Sequence, residues 1–131
     1  LMYAARHNQD AEKRLLALRL LYQIEPNPIV DATFVAAMLH DNNESVRLFA
    51  AQLLEKRQMT KQIQEAFQLV ALRDSSASLR KIALENLVNK AEQEVVPVLA
   101  LVAARDESEE IRQMALLALD KFYDKNDREK R

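Results

Sequence analysis

A chain of 131 residues with 49% hydrophobic content is long enough for one compact domain. It has no glycine, three prolines and no cysteine, which excludes hairpin-rich sheets, disulfides, thiolate metal sites and glycine-rich phosphate loops. With 19 Lys and Arg against 20 Asp and Glu, no long-range field draws in a polyanion, and nucleic acid is not an expected partner.

Leu, Ala, Glu, Lys, Gln and Arg dominate, the residues that lose least entropy in a helix, so composition predicts an all-α chain. No apolar run reaches the roughly 18 residues that span a bilayer. The opening "LMYAARHNQD" also lacks the basic region and long apolar core of a signal peptide. The expectation is a soluble chain that inserts nothing into a membrane. A cytoplasmic setting suits it unless a targeting or transmembrane segment precedes Leu1, since a start without Met fits a trimmed product or an excised domain.

In chain order, a shortened helix precedes Asn8, and a second begins after Asp10, whose carboxylate can accept a first-turn amide. Pro26 and Pro28 mark a connection. The stripe Val30, Phe34, Ala37 and Met38 predicts the next helix, and Asn43 caps another carrying Val46, Phe49, Ala50, Leu53 and Leu54 at helical spacing. Thr60 caps a helix bearing Ile63, Phe67, Val70 and Ala71, and Ser76 caps its successor. Pro97 belongs in the first turn of the helix with Val95, Leu99, Val102 and Ala103, and Ser108 caps the last one. After Phe122 the tail "YDKNDREKR" has both charge signs and few apolar anchors, which predicts a frayed end or disorder.

These elements repeat. Arg14, Arg47, Arg80 and Arg112 are separated by 33, 33 and 32 residues, with Ala17, Ala50, Ala83 and Ala115 three positions later. Leu21, Leu54, Leu87 and Leu119 follow, while Asn8, Asp41, Asp74 and Asp106 stand six positions before the arginines. Residues 1–123 then form a single repeat domain, a truncated unit 1–25 with units 28–58, 60–90 and 92–123, before a charged tail 124–131. Two-helix units with an aspartate in the internal turn and an apolar-Arg pair (Val46, Leu79, Ile111) opening the second helix resemble HEAT repeats. The first unit departs from the pattern, with Lys13 before Arg14 and Asn8 for aspartate. The resemblance implies an α-α superhelix, a right-handed solenoid of antiparallel helix pairs.

An arginine beside a buried apolar residue can lay its stem along the core and return its head to the turn, where aspartate and helix-end carbonyls accept. Stacked units would form a ladder from Arg14, Asp41, Arg47, Asp74, Arg80, Asp106 and Arg112.

Catalytic and metal roles find no residues. His7 and His40 share a column with Arg73 and Arg105, whose common property is positive charge at a helix C-terminus. Some helical-repeat enzymes hold iron through His-Glu pairs, but His7 is followed by Asn8 and His40 by Asp41. Ser75, Ser76, Ser78 and Ser108 are explained by turns and caps, so no nucleophile, metal site or cofactor is expected.

What remains is surface. Positions one, five, eight and nine after each arginine fall in one arc of the second helices, the row that the resemblance places on a concave face. Its candidate partner-binding members are Leu15, Arg19, Tyr22, Leu48, Gln52, Lys56, Lys81 and Glu85, continuing to Gln113, Leu117, Asp120 and Lys121. Leu15, Leu48 and Tyr22 are expected to make an apolar patch ringed by polar groups, as partner sites do. The function so implied is a non-catalytic interaction or scaffold module that binds a protein or peptide. The alternatives are a repeat domain of a larger enzyme or DNA-repair protein, and a spacer in a membrane-anchored bacterial regulator.

Overall fold

The structure, a computed structural model, describes residues 1–90 and 93–129, with side chains described as far as Asp124. All regular structure among these residues is helical: α1 (Met2–His7), α2 (Ala11–Tyr22), α3 (Pro28–His40), α4 (Glu44–Glu55), α5 (Lys61–Arg73), α6 (Ala77–Lys90), a 3₁₀ turn (Gln93–Val95), α7 (Val96–Arg105) and α8 (Glu109–Glu129). The chain is all-α, with neighbouring helices in pairs: α1 packs on α2, α3 on α4, and α7 on α8. No described helix is long and apolar enough to cross a membrane.

The helix starts follow the capping chemistry of the sequence. Oδ1 of Asp10 accepts from the Glu12 amide at 2.9 Å, and Oδ1 of Asn43 from Ser45 and Val46 at 2.8 and 3.3 Å. The hydroxyls of Thr60, Ser76 and Ser108 accept from Ile63, Leu79 and Ile111 at 3.2, 3.3 and 3.4 Å. Each bond satisfies one amide that a helix start leaves without an internal partner. Pro97 occupies the first turn of α7 as its missing amide predicts. Pro28 belongs to α3 as its first residue, inside the helix and not in the connection before it, and Asn27 caps it.

The turns within helix pairs explain how the chain dispenses with glycine. No described residue has a positive φ. Instead Asn8, Asp41 and Asp106 end α1, α3 and α7 in extended backbone, with φ of −61°, −63° and −62°. The side-chain Oδ1 of each then accepts from the amide two residues on, Asp10 at 2.9 Å, Asn43 at 2.9 Å and Ser108 at 2.8 Å. Asp74 does the same for Ser76 at 2.8 Å. Such an Asx turn reverses the chain at ordinary dihedral angles.

The chain divides into two compact units, Leu1–Ala66 and Phe67–Arg131, at a boundary inside α5 that the repeat spacing does not mark. In the first, α1 also packs on α3 and α2 on α4, around Leu18, Leu21, Phe34, Met38, Val46 and Leu54. In the second, α6 packs on α8, and Phe67, Leu79, Leu84, Leu87, Leu99 and Ile111 fill the interior. Phe34 and Phe67 hold the same repeat position and are both wholly buried, contributing about 1.5–3 kcal/mol each.

Helix α8 runs on to Glu129, carrying the helix into the charged tail, and nothing between Asp124 and Glu129 is a proline or glycine that would stop it. Glu92, the predicted start of the last unit, and the tail residues Lys130 and Arg131 lie outside the described residues.

Candidate functional site

Each unit contains a rung of the arginine–aspartate ladder within it. Arg14 donates from Nε to Asp41 Oδ2 at 2.8 Å and from Nη2 to Asp41 Oδ1 at 3.0 Å. Its Nη1 reaches the Asn8 carbonyl at 2.7 Å, and Nη2 also meets Asn42 Oδ1 at 3.0 Å. The hydrogen bond to Asp41 raises the Arg14 pKa above its ordinary value, against the opposing effect of burial. Arg80 repeats the arrangement on Asp106, Nε to Oδ2 at 3.0 Å and Nη2 to Oδ1 at 3.2 Å, with Nη1 on the Asp74 carbonyl at 3.0 Å. Arg47 and Arg112 hold the equivalent carbonyls of Asp41 and Asp106 through Nη1 at 3.0 and 2.6 Å. Each aspartate therefore shapes its own turn through Oδ1, and Asp41 and Asp106 also receive the fork of the preceding repeat's arginine. The Arg14–Asp41 and Arg80–Asp106 rungs are structural devices whose guanidinium and carboxylate groups are occupied by one another and by turn carbonyls.

On the proposed contact row, the first unit brings together the residues that the sequence singles out. Arg19 on α2 lies over the Phe49 ring of α4 at 5.8 Å, and Lys56, just past α4, lies over the Tyr22 ring at 6.0 Å. Both cations face aromatic rings from which they draw electrostatic attraction. Arg19, Gln52 and Lys56 are exposed around them. Leu15, Leu48 and Tyr22 are half-buried, so the apolar patch is narrower than spacing predicts: on the first two ladder repeats the leucine after the arginine is partly covered instead of fully open to solvent.

The second unit's part of the row differs. Lys81 donates to Glu110 at 2.7 Å and is not a free cation; that hydrogen bond raises its pKa, helped by the charges of Glu110 and Glu85. Glu85 and Leu117 are exposed.

One buried pair escaped the repeat pattern. Asp31 and Arg57 approach to 3.3 Å between Oδ1 and Nε, with side chains 11% and 9% exposed. The guanidinium is flanked by Tyr22 at 4.6 Å and Phe34 at 5.6 Å. Asp31 Oδ1, Arg57 Nε and Arg57 Nη2 are buried without a hydrogen-bond partner among the described residues, so the pair is held by charge and stacking alone. The signal for it was an aspartate inside the apolar run "PIVDATFVAAML". Beside it lies an open hollow of about 560 Å³ lined by Pro26, Pro28, Asp31, Lys56 and Arg57.

No group of three or more potential metal ligands occurs among the described residues. His7 and His40 lie in the last turns of α1 and α3, where the helix dipole favours positive charge, as Arg73 and Arg105 do in α5 and α7. His7 meets the Tyr3 ring at a tilt of 42°, ring centroids 4.6 Å apart.

No protein-family model, characterised protein or solved structure matches the chain.

Proposed function

We propose that this chain is a HEAT-like interaction module of the α-α superhelix class, without catalysis of its own, that holds a protein or peptide against its second helices. The observation that carries the reading is the pairing of Arg19 with Phe49 and of Lys56 with Tyr22 across α2 and α4. Two cations backed by rings, together with the half-buried leucines of the same helices, offer a partner charge, stacking and apolar contact. The hollow beside Lys56 and Arg57 lies next to this platform and has room for a side chain of the partner. A segment combining an apolar anchor with acidic residues fits best, because both exposed cations of the platform, Arg19 and Lys56, await counter-charge.

Panning a random peptide library on the purified chain tests this. Recovered sequences should be rich in Asp or Glu beside an aromatic or aliphatic residue. Their affinity should fall at least about tenfold on Arg19→Glu or Tyr22→Ala and stay unchanged on Glu85→Gln in the other unit. Peptides indifferent to both first-unit variants would remove the site. A DNA titration whose affinity falls steeply with salt would favour the DNA-repair alternative.

A further inference from the structure

The buried Asp31 and Arg57 pair leaves donors of the arginine unused. The Arg57 side chain is 9% exposed, and its Nε lies 3.3 Å from Asp31 Oδ1 without forming a hydrogen bond. Nε and Nη2 have no hydrogen-bond partner among the described residues, while Tyr22 and Phe34 flank the guanidinium at 4.6 and 5.6 Å. An arginine kept there with its donors unmet costs stability, and a ligand that meets them offsets the cost. Because Asp31 holds it by charge alone, turning the guanidinium toward an anion breaks no hydrogen bond.

Arg57 lines the hollow of about 560 Å³, and the rest of the lining favours negative charge. Asn27 and Pro28 bring the N-terminus of α3, and Thr60, Lys61 and Gln62 that of α5, so the positive ends of two 13-residue helices meet there. Thr60 takes the Ile63 amide on its hydroxyl at 3.2 Å and the Gln64 amide on its carbonyl at 2.9 Å, which leaves the amides of Lys61 and Gln62 ahead of the first bond within α5. Lys56 and Lys61 add two more cations, against one carboxylate, Asp31, among the described lining residues. Lys61 also approaches Glu65 to 4.0 Å, but both are exposed and such a pair is weak. Lys56 and Arg57 follow the end of α4 and offset its dipole, a role that asks neither for burial of Arg57 nor for two helix starts beside it.

We infer that this hollow is a phosphoryl-binding site, which takes a phosphate monoester on Arg57 and the start of α5. Three cations against one carboxylate match the charge of about −1.5 to −2 that such a group carries near neutral pH better than they match a single carboxylate. Arg57 supplies the planar fork that suits phosphate oxygens. The inference does not need α2 and α4 to hold a partner. The phosphoryl group belongs either to a free phosphate or to a phosphorylated side chain of a protein, and the test separates the two.

Amide spectra of the full, isotope-labelled chain, titrated at about pH 7.5 with sodium phosphate and with sodium acetate at equal ionic strength, provide it. The Lys61 and Gln62 amides should shift with phosphate at an affinity at least about tenfold above that for acetate. Asp31→Asn removes the competing carboxylate and should tighten phosphate binding. Asp31→Leu/Arg57→Met leaves no buried charge unpaired, should stay folded by circular dichroism, and should weaken binding at least about tenfold. Lys61→Gln, at a side chain exposed to water, should leave the fold intact and weaken binding about threefold. Arg19→Glu should leave phosphate binding unchanged, so failure of the contact row and failure of this site are read separately. Phosphate bound no better than acetate, binding that survives the folded double variant, or no effect of Lys61→Gln overturns the inference. In a second arm, N-acetyl-O-phosphoserine amide bound at least about tenfold more tightly than inorganic phosphate assigns the site to a phosphorylated side chain, and equal affinity assigns it to free phosphate.

Discussion

Arg14 and Asp41 lie 27 residues apart in the chain and are joined by two parallel hydrogen bonds, Nε to Oδ2 at 2.8 Å and Nη2 to Oδ1 at 3.0 Å. Their side chains are 8% and 5% exposed, so each charge depends on the other for its solvation. Arg14→Met strands a buried carboxylate and should cost about 3–5 kcal/mol in urea unfolding. Arg112→Met gives up no carboxylate and should cost no more than about half as much. Equal losses at both positions would mean that the arginine stems stabilise the fold and the carboxylates add nothing.

Asn43 caps α4 through one oxygen that serves two amides, those of Ser45 and Val46, at 2.8 and 3.3 Å. Ser108 serves one, at 3.4 Å. Asn43→Ala should therefore cost about 1–2 kcal/mol and Ser108→Ala about 0.5–1 kcal/mol, read from urea midpoints at constant slope.

The turns, caps and rungs were legible in the sequence because each is a local chemical demand repeated at a fixed spacing: an aspartate must turn the chain, a polar side chain must cap the next helix, and an arginine must find acceptors. The contact row was legible only in outline. Spacing places Leu15 and Leu48 on an outer arc, but whether they face solvent depends on the neighbouring helix, which half-buries both. The pairing of Lys81 with Glu110 bridges α6 and α8, a contact that no periodicity within one helix can reveal. Asp31 and Arg57 were hidden for a different reason. The residues equivalent to Arg57 are Ile24, Lys90 and Phe122, so a search for columns passes over it.

The Asp31 and Arg57 pair has a poor geometry that mutation can expose. Arg57→Met leaves Asp31 buried without a counter-charge and should lower stability by about 3–5 kcal/mol. Asp31→Leu/Arg57→Met removes both desolvated charges and keeps most of the volume, so it should recover the loss and end at or above the starting stability, by up to about 1–4 kcal/mol. Thermal unfolding of the four corners of this cycle decides the matter. A double variant no better than Arg57→Met would show that the charge pair contributes attraction exceeding its desolvation.

Lys81 makes a prediction about pH. Its pKa is raised in the folded state, by the hydrogen bond to Glu110 first and then by neighbouring charge, so folding favours the protonated amine. Stabilisation from this source is fully present below the unfolded lysine value of about 10.4 and disappears as pH rises through the higher folded value. The difference in melting temperature between the chain and Lys81→Met should hold steady from about pH 7 to 9 and vanish in the alkaline range above. Since the lysine is solvent-exposed, the difference should also shrink with added salt. A gap that persists unchanged at high pH would trace to the methylene stem of Lys81 and not to its charge.

Leu84 and Leu116 hold the same position four residues after a ladder arginine, yet the first is wholly buried and the second 45% exposed. The same side chain at the same repeat position thus separates the effect of the neighbour from that of the helix. Leu84→Ala removes buried methyl groups and opens a cavity, which should cost about 2–5 kcal/mol. Leu116→Ala removes atoms that already touch water, and alanine's better helix propensity offsets part of the loss, so the cost should stay below about 1 kcal/mol. Guanidinium unfolding of the two variants, with unchanged slopes, gives the comparison directly. A large cost at Leu116 would mean that this side chain is covered in solution.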